Sequence, residues 1–241
     1  MAHQGLTRAQ KIAPIPPPGP VKIYVHASTA DLQGALQNAG ESSWIAGQAL
    51  IGLDTAIVSV PPGPEQQSEL ERQIPHEITH LMVYAATGQE YVFLPAWLNE
   101  GLASLSEMRF NPGYTGVLDA ARGKNALLPL ESLCGDFPPD PSGVFLAYAE
   151  AASFTRFLED TYGDAGLQRL ISQYANGMGC EEGFRSAFKA SIAEVETRWQ
   201  QETLRGDETG LAAHNLAPYL VLFLLILSIP IGIGLRSFRH A

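Results

Sequence analysis

Basic residues are scarce in this 241-residue chain: 15 Lys and Arg stand against 25 Asp and Glu, for a formal net charge of −10. That balance lacks the basic footprint a phosphate backbone requires, and it argues against a nucleic-acid partner. Cysteine is nearly absent. Cys134 and Cys180 are the only two; they have no CxxC spacing and no adjacent His, which excludes a zinc knuckle or a dithiol redox motif. They could close a single disulfide, as suits an extracytoplasmic domain, or stand as two buried thiols. No internal repeat occurs, so a solenoid is excluded. Residues 1–20 contain no apolar core of ~7–15 residues of the kind a secretory leader needs.

Charge is also missing from residues 209–235, and there the absence is informative. Within them Leu216 to Leu235 is a run of 20 almost wholly apolar residues. At ~1.5 Å rise per residue such a run crosses a hydrocarbon core of ~30 Å as a helix. Pro230 is tolerable in a span, and Tyr219 suits the headgroup level. A membrane anchor is therefore expected at 216–235, with a short basic tail at 236–241. The body up to residue 208 holds 13 basic and 25 acidic residues, a net of −12, and Arg236 and Arg239 bring the total to −10. By the positive-inside rule these two arginines favour a cytoplasmic C-terminus and an extracytoplasmic body. Without a leader, two explanations stand: the chain as given lacks its native N-terminus, or it is tail-anchored and faces the cytoplasm. The charge rule and the cysteines favour the first.

The Pro-rich stretch Ala13–Pro20 makes residues 1–20 an expected lead-in or linker. Val21–His26, Ala49–Leu53 and Thr55–Val60 read as short strands, with a helical stretch from Thr29 to about Ala39 between the first two. Beyond Glu65 helices dominate, at 65–87, 96–109, 143–162, 164–175, 181–190 and 192–204. Gly163 marks a helix stop, and Asp164 an N-cap for the next helix. Residues 111–142, rich in Gly and Pro, read as a surface loop, and 205–215 as a linker. The expected fold class is α+β, with one domain at 21–204.

His76-Glu77-Ile78-Thr79-His80 is an HExxH motif. Residues i and i+4 share a helix face, so His76 and His80 can point at one ion, and Glu77 lies beside it. Zinc suits neutral imidazoles plus a carboxylate, with a position left for water whose proton Glu77 can take. Pro75 removes a backbone donor from this helix and is expected to mark its start. His26, His3, His214 and His240 have no partner at ligand spacing.

Downstream stands Ala96-Trp97-Leu98-Asn99-Glu100-Gly101-Leu102-Ala103. HExxH followed by WLNEGLA resembles the gluzincin metallopeptidases, and most of all the peptidase MA-like family, over roughly residues 65–200. The resemblance implies a zincin-like fold in which Glu100 completes a zinc site with His76 and His80. It implies Glu77 as general base and Tyr148, on a later helix, as donor to the oxyanion. A strand edge beside the active helix holds the substrate backbone in similar proteins, and Thr55–Val60 is the candidate here. Cys134 and Cys180 sit where extracellular relatives are bridged.

The departures are specific. The 19 residues between His80 and Glu100 are close to, but not the same as, the aminopeptidase spacing. Ser104 stands where relatives carry a carboxylate that orients a zinc histidine, and Glu107 is expected on another face. No GxMEN-type segment is present, which points away from exopeptidases. The function implied is a membrane-anchored zinc metallopeptidase, an endopeptidase acting on peptide or protein substrates. The alternative is a catalytically inactive zincin-like binding or sensor domain.

Overall fold

The computed structural model describes residues 2–12, 19–36 and 46–204. The chain begins with α1 (Ala2–Ile12), β1 (Lys22–His26), α2 (Thr29–Leu36), β2 (Gly47–Leu50) and β3 (Thr55–Ser59). Among the described residues helices then follow without further strands: α3 (Gln66–Thr87), α4 (Ala96–Ser106), α5 (Gly113–Gly123), α6 (Pro141–Ala175), α7 (Cys180–Phe188) and α8 (Ile192–Glu202). The result is the α+β arrangement expected, mostly helical with one small sheet. The apolar run 216–235 lies outside the described residues, and among those described no helix is long and apolar enough to cross a membrane.

The sheet has the order β1-β3-β2, with β1 parallel and β2 antiparallel to β3. All five residues of β3 are buried, as befits a strand paired on both sides and covered by helices. This corrects one expectation: Thr55–Val60 is the central strand and offers no free edge. β2 is the edge strand nearest α3.

Pro75 does not start α3, which runs unbroken through it for 22 residues. Proline removes the N–H that would have bonded the Glu71 carbonyl. Met108 N–H takes that carbonyl instead, at 3.0 Å, so the vacancy fastens α3 to the chain just beyond α4. The proline ring is also a packing surface. A Cβ at Gly5 would lie 3.0 Å from Pro75 Cα and Cβ, so α1 approaches α3 closely and buries Ala9 completely. Residues 2–12 are thus a packed helix and not part of a lead-in.

Residues 111–142, read as a loop, contain α5 and a 3-10 turn at Leu130–Leu133. Tyr114, Leu118 and Ala121 are its buried stripe, at helical spacing that the surrounding Gly and Pro concealed. The break expected at Gly163 is present as a kink inside α6, with φ 68° and ψ 175°. α6 begins with Asp140 accepting from Gly143 N–H at 2.8 Å and Pro141 in the first turn, a start that proline favours. Trp97, Phe154, Phe184 and Trp199 form the aromatic centre of the larger core, with Trp97 and Phe154 5.2 Å apart and Phe154 and Trp199 5.7 Å apart. Trp97 thereby seats the first turn of α4 against α6.

Cys134 and Cys180 form a disulfide, with Cα atoms 6.0 Å apart. The Cys134 carbonyl accepts from Ala96 N–H at 3.3 Å, so the bridge anchors an acceptor for the open N-terminus of α4. A loop closed over a separation of 46 residues corresponds to about 4 kcal/mol of chain entropy. Replacing both cysteines by Ser is expected to lower the unfolding free energy of the full-length chain by about that amount. Denaturant titration measures it; a loss below about 1 kcal/mol would mean that the reduced, unfolded chain is already constrained.

Candidate metal centre

His76 and His80 lie one turn apart on the buried face of α3, their rings 5.0 Å apart and edge to face. α4 crosses α3 and brings Asn99 and Glu100 to the same point. His76 Nε2 lies 3.2 Å from Glu100 Oε2, and His80 Nε2 lies 3.7 Å from the same oxygen. The expected trio His76, His80 and Glu100 is therefore together, with one candidate ligand atom from each within 4.8 Å of the others.

The other ring nitrogens settle how the imidazoles are oriented. His76 Nδ1 lies 2.9 Å from Glu107 Oε1, and His80 Nδ1 lies 3.1 Å from Asn99 Oδ1. Carboxylate and amide oxygens only accept, so each Nδ1 carries the proton and donates it. Both Nε2 atoms are left facing Glu100. Tyr91 Oη also donates to Asn99 Oδ1, at 3.1 Å, which fixes the amide orientation.

A zinc ion with ligands at ~2.0–2.1 Å and tetrahedral angles needs those ligands about 3.4 Å apart. The 3.2 and 3.7 Å separations from Glu100 bracket that value, and all three candidate atoms lie within 4.8 Å of one another, so these side chains could hold such an ion. Burial alone would lower the His76 pKa, but hydrogen bonds to Glu100 and Glu107 outweigh it and hold the group well above its ordinary value. Burial would raise Glu100, yet His80 and His76 keep it below the usual carboxylate range. Burial lowers the His80 pKa instead, against the attraction of Glu100, so the two imidazoles are shifted in opposite directions.

Glu107 corrects the sequence reading. It follows Ser106, the last residue of α4, and its extended backbone (φ −56°, ψ 138°) carries it out of the helical phase. Its carboxyl reaches His76, while Ser104, the position expected to lack a partner for histidine, is buried with no hydrogen bond to its hydroxyl. Arg8 of α1 donates to the Glu107 carbonyl, so the N-terminal helix steadies this residue. Sequence reasoning also missed Asn99 and Tyr91. Asn99 was visible as the residue beside Glu100; Tyr91 carried no local signal.

Glu77 is 6% exposed and next to the cluster. Burial pushes its carboxyl up to about 7 against the pull of His76, with Glu100 and Glu107 adding to the rise and Ala49 N–H opposing it as a hydrogen-bond donor. This contact depends on Gly47: a Cβ there would fall 2.4 Å from Glu77 Oε1. Tyr148, on α6, shares the cleft with His76, Glu77 and Gly47. Burial, with the nearby Glu100 and Glu77 charges, raises its hydroxyl pKa, so it remains protonated and able to donate.

A family model described as the Peptidase MA superfamily matches residues 1–205. No curated protein matches the chain.

Proposed function

The chain belongs to the peptidase MA superfamily, and from that premise we propose that it is a membrane-anchored, zinc-dependent endopeptidase of the gluzincin type. The observation that carries the proposal is the orientation of both histidines, with each Nδ1 engaged and each Nε2 turned toward Glu100. His76, His80 and Glu100 would hold the metal. Zinc, when bound, supplies a Lewis acid that polarises the peptide carbonyl and acidifies a water it holds.

Glu77 takes the proton of the attacking water and returns it to the leaving amine, so the carboxylate is regenerated in each turnover. Tyr148 Oη donates to the carbonyl oxygen as negative charge develops there, an interaction worth a few kcal/mol in the transition state. Ser59 N–H bonds the Ala46 carbonyl at 2.7 Å, which fixes the alternation along β2. The backbone groups of Ala46 and Gln48 face β3, and those of Gly47 and Ala49 face the cleft. Ala49 N–H serves Glu77, and Gly47 is placed to pair with an extended substrate.

Membrane anchoring rests on the uncharged run 216–235. Arg236 and Arg239 beyond it, with the Cys134–Cys180 disulfide, support an extracytoplasmic body. The rival reading, an inactive binding or sensor domain, drew its support from Ser104. Against it, Glu107 supplies a carboxylate 2.9 Å from His76 Nδ1 from another position.

The test is zinc content of the full-length chain in mild detergent beside its Glu100→Ala variant, together with cleavage of an unfolded protein. About one zinc per wild-type chain is expected, with zinc and cleavage both lost in the variant. A folded wild-type chain that takes up no zinc on incubation would overturn the proposal.

A further inference from the structure

We infer that the cleft beside Glu77 selects a bulky apolar side chain next to the scissile bond and rejects acidic ones, with Tyr114, Val144 and Phe145 as determinants. The inference rests on the peptidase reading above and adds the class of substrate. The cavity that opens onto His76 and Glu77 has a volume of about 440 Å³, within the range of ligand sites. Its near wall is α3 and the β2 edge; its far wall is the start of α5 and the first turns of α6.

The far wall follows from the local sequence. Asp140 and Pro141 start α6 so that Val144, Phe145 and Tyr148 stand at i, i+1 and i+4 and line one cavity. The helix that offers the Tyr148 hydroxyl thus also supplies apolar surface beside it. Gly113 lets the Phe145 ring lie against the start of α5, since a Cβ there would sit 3.0 Å from Phe145 Cζ. Tyr114 packs on Phe145 at 5.4 Å and on Phe110 at 5.6 Å. Tyr114 and Val144 are 6% and 7% exposed, but Phe145 is 38% exposed at the mouth. The aromatic row therefore runs from the interior to an open edge facing the site. Apolar surface at a cleft mouth is covered at a gain only by an apolar group.

Charge decides what else can enter. Arg72, which lines this cavity, is paired with Glu69 at 2.5 Å. Glu77 and Glu107 line the same space. An acidic side chain seated against Tyr114, Val144 and Phe145 would lose water to rings and aliphatic carbon. The Tyr114 hydroxyl is engaged by Asn111, so the aromatic wall offers rings more than hydrogen bonds.

The experiment has two readouts on the full-length chain in mild detergent. Binding of blocked pentapeptides, differing only in a central Phe, Leu, Ala, Asp or Lys, is measured by calorimetry on the Glu77→Gln variant. Cleavage sites in an unfolded protein are mapped for the wild type by mass spectrometry. Phe and Leu peptides are expected to bind at least tenfold more tightly than the Ala peptide, with Asp weakest. Cleavage sites should be enriched in large apolar residues on one side of the bond. Phe145→Ala should shrink the preference to about threefold and Phe145→Leu should restore most of it, with thermal unfolding of both variants checking that they fold. Equal binding of all five peptides, or tightest binding of Asp or Lys, overturns the inference. Cleavage without side-chain preference overturns it and leaves the peptidase reading standing. Apolar-selective binding with no cleavage upholds the pocket and overturns the peptidase reading.

Discussion

Glu77→Gln is expected to keep zinc at the wild-type level and to lower kcat for peptide hydrolysis by about 10²–10⁴-fold, the usual contribution of a positioned acid–base group. The side chains have nearly the same shape. The Gln carbonyl oxygen can still accept from Ala49 N–H, and Gly47 leaves the room that either side chain needs. None of the three candidate ligands changes, so metal binding has no reason to fall. What disappears is a group that can take a proton from water and return it to the leaving amine, because an amide does not titrate. KM should move little, since Glu77 serves the transition state more than substrate binding. Zinc content and steady-state kinetics on the same preparation make the check. Turnover within tenfold of wild type, with zinc retained, would remove Glu77 from the mechanism.

The parts of this site that the sequence shows are those set by helical repeat. His76 and His80 are legible because four residues make one turn, and Glu100 because Trp97 to Ala103 is a contiguous motif on one helix. Glu107 was misplaced because it stands just past the end of α4. There the side-chain direction depends on one extended residue and not on a period. The Pro75 reading failed for a related reason. A local rule ends helices at proline, but Met108, far along the chain, supplies the missing partner for Glu71. α1 was illegible because its buried face is made partly of Gly5 and Ala9, small residues that permit close approach to Pro75 and carry little hydrophobic signal. Strands were found by alternation, yet alternation does not order them. Placing β3 in the centre took the pairing of Lys22 with Thr55 and Gly47 with Val58, and that moved the candidate for a substrate-binding edge from Thr55–Val60 to β2.

Gly101→Ala is expected to cost several kcal/mol of stability and most of the metal affinity, although it adds one methyl group and replaces a poor helix former by the best. The reason is the crossing of α4 on α6. An added Cβ would meet Thr155 Oγ1 at 1.9 Å, the Ala151 carbonyl oxygen at 2.6 Å and Thr155 Cβ at 2.7 Å. A flexible side-chain tip could swing away, but a helix carbonyl cannot, so the two helices must separate. Overpacking of this kind commonly costs 1–3 kcal/mol, and contact with backbone belongs at or above the upper end. The ~1 kcal/mol gained from helix propensity does not offset it. Function suffers along with stability because Glu100 precedes Gly101 and moves with it, while His76 and His80 stay on α3. Adding Thr155→Ala should recover only part of the loss, since the Ala151 carbonyl remains. Thermal unfolding and zinc affinity of the single and double variants separate these contributions. A Gly101→Ala chain as stable as wild type, with zinc affinity unchanged, would mean that α4 and α6 are not held at this distance. The glycine in WLNEGLA would then be free of the packing demand that, on this account, sets how close the Glu100 helix lies to the rest of the site.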